Sequence, residues 1–476
     1  MRHEWRATRE TLPGFYRLGF APFRFAGKPR WRTIGLVLMF TVSLVFVVPQ
    51  AYAAVTAETQ FILNSFSFLI WGALVMWMCA GFTMLEAGSV RTKNASVICL
   101  KNIGLYSIAG LTYYLVGYNL MYVDVVSWVG SFALPYSTTP EEIALLGGDE
   151  AAAEAVIGNG YSTMSDWFFQ MVFVATTASI VSGTLAERVK LWSFFIFIAL
   201  LTAFIYPVIG SWTWGGGWLA QMGFQDFAGS TIVHSTGGWA ALAGAIIVGA
   251  RKGKFRADGS VKTTAPSNVP AVTLGVFILW LGWFGFNGGS QLALSGAIDA
   301  VALSNILANT NLAAAAGVLA AITLSRPIMG RVDLITSLNG AIAGLVAITA
   351  GPDIVDHYFA VIIGAIGGAI VVLGVRLMEI IKVDDVVGAV PAHLFAGIWG
   401  TLAVCIAAGG DPGVQIIGIL AIGAFVFGTS ILAWFIIDKS PLGARIPPVH
   451  EELGQDAAEL GIESYPEFVL MPETDD

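Results

Sequence analysis

Every lysine and arginine beyond residue 54 falls on, or at the edge of, alternate connections between long apolar blocks. The blocks cover approximately 61–85, 97–121, 165–186, 191–210, 230–250, 269–289, 300–324, 331–350, 357–380, 390–408 and 414–437. Each is close to the roughly 20 residues a helix needs to cross about 30 Å of hydrocarbon. Open strands cannot satisfy their backbone in lipid, so blocks of this length read as helices. Arg91, Lys93 and Lys101 flank the first connection, and Arg188 and Lys190 occupy the third. Arg251, Lys252, Lys254, Arg256 and Lys262 follow the fifth block, and Arg326 and Arg331 follow the seventh. Arg376 and Lys382 close the ninth, and Lys439 and Arg445 follow the eleventh. The intervening connections carry acids alone, among them Asp124, Glu141, Asp226, Asp299, Asp353 and Asp411. One miscounted helix would break this alternation. The positive-inside rule then puts the mature N-terminus outside and the C-terminus in the cytoplasm. The pattern predicts an all-α membrane protein with eleven transmembrane helices, held in an inner or plasma membrane.

Composition agrees. Only 12% of residues are charged and 56% are hydrophobic, where soluble domains carry about 25% charge. No basic, aromatic-interleaved stretch points to nucleic acid. Cys79, Cys99 and Cys405 lie in apolar blocks with no CxxC spacing, so they are expected as buried packing residues rather than metal ligands or disulfides. Residues 1–33 hold eight basic side chains; Ile34–Val48 is apolar, and Ala51-Tyr52-Ala53 follows. That order reads as a signal peptide over 1–53, cleaved after Ala53, with an uncleaved extra helix as the alternative. The membrane domain is expected over 54–437 and a cytoplasmic tail over 438–476.

Eleven spans divide as five, five and one. Two halves of five spans are inverted relative to each other, the arrangement of many transporters. The fifth block contains His234-Ser235-Thr236-Gly237-Gly238-Trp239 and the tenth His393-Leu394-Phe395-Ala396-Gly397-Ile398-Trp399. In each, a glycine follows the histidine by four residues. An ionisable side chain inside a membrane helix is costly and faces a cavity or a partner. Two-fold symmetry would bring this pair together near the midplane, whereas the bland alternative is two unrelated histidines bonded to local carbonyls. Asp226, just before the fifth block, reads first as a helix cap and second as a cation ligand. Glu86, Glu187, Asp384 and Asp385 are expected to pair with Arg91, Arg188 or Lys190.

Aromatic residues crowd the outer block ends: Trp167, Phe168, Phe169 and Phe173, then Trp212 and Trp214, then Phe284 and Phe286 before Ser290. Most belong to interfacial belts. Ring faces also attract cations, by about 0.5–2 kcal/mol per contact, and a hydroxyl such as Ser290 accepts from an N–H cation.

Several stretches together resemble the ammonium transporter (Amt/Mep/Rh) family over nearly all of residues 60–465. They are Phe169-Gln170 with Phe173, Ala186-Glu187-Arg188-Val189, Trp214-Gly215-Gly216-Gly217, and Asp226 through His234. Trp283-Phe284-Gly285-Phe286-Asn287 and Asp384-Asp385 before His393 complete the match. The resemblance implies a homotrimer with one pore per subunit; no cofactor or metal is expected. It implies ammonium recruitment at Phe173, Trp214 and Ser290, and a phenylalanine gate at Phe169 and Phe173, with Phe286 beside the pore. His234 and His393 become twin pore histidines, supported by Asp226. Methylammonium is a further expected substrate, and a PII-type signal protein an expected partner of the tail over 451–465. Two positions depart from the pattern: Glu86 stands where some members have an aromatic, and Gly388 replaces an acid.

The physics fits a transporter of ammonium and ammonia in contact with the lipid bilayer. A bare cation loses hydration at high cost in an apolar lumen, so the cation would deprotonate, ammonia would pass, and the imidazoles would handle the proton. The alternative is an ammonium sensor with little flux, whose mark would be a fused signalling domain; the tail is short for one. No nucleophile–base pair lies inside the blocks to suggest an enzyme.

Overall fold

The computed structural model describes residues 55–466; the expected signal peptide and residues 467–476 lie outside the described residues. Among the described residues ten helices are long and apolar enough to cross a membrane. They are α1 (Ala57–Ser89), α2 (Thr92–Tyr122), α3 (Thr163–Thr184), α4 (Leu191–Trp212), α5 (Ser230–Val248), α6 (Val269–Gly289) and α7 (Ala297–Met329), then α9 (His357–Ile380), α10 (Val390–Ala408) and α11 (Pro412–Lys439). The block expected over 331–350 is a shorter apolar helix, α8 (Leu334–Ile348). Nearly all of α8 is buried against α7, α9 and α10, so it offers little surface to lipid. Among the described residues the chain forms no strand, only isolated bridges in loops.

The helix starts follow from local chemistry. Side-chain oxygens of Thr56, Asn268, Asp333, Asp356 and Asp411 accept from the first free N–H groups of α1, α6, α8, α9 and α11, as caps do. Small residues then set the spacing. A Cβ on Gly364 of α9 would lie 2.1 Å from the Ala313 carbonyl of α7, so only glycine permits this approach. Large apolar side chains such as Trp77, Trp192, Phe277, Leu420 and Ile436 stay exposed on the outside of the bundle, the surface a bilayer covers.

The basic connections converge on one end. Arg251, after α5, grips Asp384, before α10, through two bonds of 2.8 and 2.9 Å, and Glu187, after α3, at 2.8 Å. Arg91, after α1, meets Glu187 at 2.9 Å. Burial would raise the Glu187 carboxyl, but the Arg251 and Arg91 guanidiniums outweigh it and hold it at about 2. The tail is sewn to the same end. Asp456 accepts from the N–H groups of Ser96 and Val97 at 3.0 and 2.7 Å, capping a turn of α2. Arg445 joins the Val248 carbonyl at 3.0 Å to Glu451 at 2.7 Å.

Three sequence expectations need correction here. Glu187 pairs with Arg91 as expected, but its second partner and the partner of Asp384 is Arg251. Arg188 donates instead to backbone carbonyls, and Lys190 to that of Leu442. Cys99 is exposed, and Cys79 and Cys405 are half-buried, because an apolar block in a bundle has a lipid-facing side as well as a core side.

Candidate functional site

The fifth and tenth spans open in the same unusual way. Each begins with six residues of π-helix, Ser230–Ser235 and Val390–Phe395, and continues as thirteen residues of α-helix, Thr236–Val248 and Ala396–Ala408. Wide turns of this kind displace side chains from the ordinary register and are frequent at functional positions. In α5 the N–H of His234 reaches back five residues to the Gly229 carbonyl, at 3.0 Å. Gly229 has φ 109°, a left-handed conformation that glycine adopts without strain.

Asp226 secures this start. Its Oδ1 accepts from the N–H groups of Gly229 and Ser230, at 3.0 and 2.7 Å, and its Oδ2 from Thr231 and Ile232, at 2.8 and 2.9 Å. The expected cap is therefore present, with four donors. Burial pushes the Asp226 carboxyl up to about 6, against the downward pull of those donors. Its backbone carbonyl accepts from Trp214 Nε1 at 2.9 Å, which fixes the indole.

α5 ends at the basic end, before Arg251, and α10 begins there, after Asp384. The two histidines, each near the N-terminus of its helix, therefore approach from opposite ends. Nδ1 of His234 and Nδ1 of His393 lie 3.3 Å apart. The side chains are 0% and 3% exposed. The glycine four residues after each histidine makes the approach possible, and the contacts are reciprocal. A Cβ on Gly238 would lie 2.6 Å from Leu394, the residue after His393. One on Gly397 would lie 2.5 Å from the hydroxyl of Ser235, the residue after His234.

Aromatic rings continue the column toward the opposite end. His234 stacks on Trp283, centroids 4.9 Å apart, and lies 5.2 Å from Phe286. Phe286 stacks on Phe173 at 4.0 Å and an interplanar angle of 20°. Phe169 meets Phe173 at 4.8 Å, tilted, and Trp214 stands edge-on to Phe173 at 5.9 Å. Ser290, four residues beyond Phe286 on α6, donates its hydroxyl to the Phe286 carbonyl at 2.9 Å, so the oxygen keeps lone pairs to offer. Below the pair, Phe82 approaches the His393 ring at 6.3 Å. A cavity opens beside it, lined by His393, Phe82, Glu86, Ser179, Asn339 and Val387 among others. His234 Nε2 is buried with no protein partner, whereas buried polar atoms in closed cores find one.

Residues 66–465 match the model of the Ammonium Transporter Family. The chain belongs to that family. It is similar to ammonium transporter Amt2 of Archaeoglobus fulgidus, with 39% identity over 432 residues, 84% of this chain and 88% of that protein. A putative ammonium transporter of Synechocystis is also 39% identical, over 421 residues, 87% of this chain and 92% of that protein. Among solved structures, one titled "Sensor Amt Protein" superposes with a TM-score of 0.77 at 34% identity, covering 85% of this chain and all of that one.

The structure brings Trp214, Phe169, Phe173, Phe286, His234 and His393 into one column of rings, with Asp226 bonded to Trp214 and to the start of α5. Ser290 follows Phe286 just past the end of α6, bonded to its carbonyl. Sequence reasoning missed Trp283 as the plate behind His234. Its indole is held by Thr349 at 2.8 Å; its place three residues before Phe286 on α6 was the available signal.

Proposed function

We propose that this protein carries ammonium across a membrane, through the column that runs from Trp214 to His393. The observation that carries this reading is the buried, edge-to-edge pair of imidazoles at the centre of a line of aromatic rings. A cation would be held outside by the faces of Trp214 and Phe173 and by the Ser290 oxygen. The Phe173–Phe286 stack, with Phe169 above it, would be the gate. Beyond it an ion has no hydration, which costs several kcal/mol even after relaxation, so ammonium gives up its proton and ammonia continues. The histidines pass a proton between Nδ1 atoms, since imidazole both accepts and donates near neutral pH. Asp226 keeps the first turn of α5, and hence His234, in place.

The same reading counts α8 as an eleventh span, sets the two five-helix halves as inverted repeats, and puts the basic end in the cytoplasm. It includes three copies in the working assembly, methylammonium as a second substrate, and a PII-type protein docking on the basic end. Stopped-flow pH recording and current measurement on proteoliposomes test it. Ammonium-dependent signals above those of empty vesicles support it, and equal signals refute it.

A second reading, a sensor, is favoured by the likeness to the structure titled "Sensor Amt Protein" and by the tail bonded to α2 and α5. It expects ammonium binding with little flux in the same vesicles.

A further inference from the structure

We propose that Glu86 is a positioning and proton-accepting residue on the cytoplasmic side of the histidine pair, the group that carries the proton from His393 toward the basic end. The inference rests on the transport reading above.

Glu86 sits on α1, one helical turn after Phe82, and Phe82 faces the His393 ring. One turn is about 5.4 Å along the axis. Glu86 and His393 line the same cavity, together with the Ser179 and Asn339 side chains. The carboxyl is 1% exposed, yet it lies in a membrane-spanning helix, where an acid marks an ion or proton path more often than a fold support. Its anchorage is asymmetric. Ser182 Oγ donates to Oε2 at 2.6 Å, and Asn102 Nδ2 donates to the same oxygen at 3.2 Å. These bonds tether one oxygen only.

Lys101, 3% exposed on α2, is the charged group facing this acid. Its Nζ donates to the Ser182 carbonyl at 2.8 Å, so acid and base meet through Ser182. Such an arrangement tolerates both the carboxylate and the carboxylic acid. In the proposed step the imidazolium of the pair loses a proton from His393. The Glu86 carboxylate gains it, which leaves a neutral imidazole and a neutral carboxylic acid. Release to ammonia or water at the cytoplasmic mouth restores the carboxylate, and no other reactant is needed.

Glu86→Gln keeps the size and the bonds to Ser182 and Asn102 but cannot carry a proton. Wild-type and variant protein in liposomes would be compared by ammonium-driven current and by ammonia-linked pH change, each across pH 5–8. The expected result is a current lowered by about a hundredfold, with ammonia passage retained and melting temperature unchanged. A variant with wild-type current and pH profile overturns the relay, as does wild-type protein that passes ammonia without charge; both leave the transport reading standing. Wild-type protein that passes neither overturns transport and relay together. Should Glu86→Gln fail to fold, Glu86→Asp moves the carboxyl back by one methylene. A slowed current with a shifted pH profile then supports the relay, and wild-type values in both overturn it.

Discussion

The rings of Phe173 and Phe286 lie nearly parallel, 4.0 Å between centroids, one on α3 and the other on α6. Phe286 in turn borders His234 at 5.2 Å, so on the proposed reading a solute coming from the Trp214 side has to separate two stacked rings to reach the histidines. Phe286→Ala would remove one plate and let water follow the solute. The expected outcome is retained ammonium flux with weakened exclusion of potassium. Currents in ammonium and potassium gradients, recorded on the same vesicles, would check it; unchanged discrimination would place the gate elsewhere.

Trp214 and Ser290 both have their own protons committed, to the Asp226 and Phe286 carbonyls at 2.9 Å each. What each has left to offer is a ring face and an acceptor oxygen, which suits a cation bearing N–H groups and gives less to a bare alkali ion. Trp214→Leu and Ser290→Ala should each raise the ammonium concentration for half-maximal flux and reduce discrimination against potassium. The indole loss should weigh more, by about 0.5–2 kcal/mol for one cation–ring contact. A concentration series in proteoliposomes gives the answer, and wild-type values in both variants would move the recruitment site.

At the basic end, Arg251 is 7% exposed and bridges Glu187 to Asp384. Removing one partner of a buried ion cluster leaves uncompensated charge, so Arg251→Met should destabilise the fold by about 3–5 kcal/mol. The pH dependence has a definite sign. Glu187 and Asp384 are both held below the ordinary carboxyl range, Glu187 at about 2. A depressed carboxyl stabilises the folded chain fully above its unfolded value of 4.5, and that contribution fades as pH falls toward 2. Melting temperature in detergent should drop through this window in the wild type and drop less in Arg251→Met. Parallel curves would remove these carboxylates from the account.

Much of this is legible in the sequence. The charge alternation made it legible that the basic connections share one end, where Arg91, Glu187, Arg251 and Asp384 now meet. His234 and His393 were legible as a pair because each carries a glycine four residues on, and the reciprocal close contacts of Gly238 and Gly397 now supply the reason. Asp226 was legible as a cap from its place before α5. Other features depend on contacts between distant segments. Phe169 and Phe173 were marked together by the family resemblance alone, and the ring that stacks on Phe173 comes from α6, far along the chain. Arg251 is the centre of the basic end only because three connections fold over it. The wide turns at 230–235 and 390–395 leave no mark in apolar periodicity. Cys99 misleads for a related reason: a membrane helix is apolar on its exposed side too.

The central claim is that His234 and His393, 3.3 Å apart at Nδ1, act as one proton-handling unit. Ammonium-driven current and ammonia-linked pH change, recorded together in proteoliposomes of His234→Ala, His393→Ala and the double variant, test it most directly. His393 lines the cavity beside Phe82, and His234 Nε2 has no protein partner, so all three variants should fold and melt close to wild type. Each single change should lower the current by about a hundredfold, the scale of a lost proton-transfer group, and the double variant should be no worse than either single one, as expected of coupled residues. Wild-type current in all three, or losses that simply multiply, would contradict the claim.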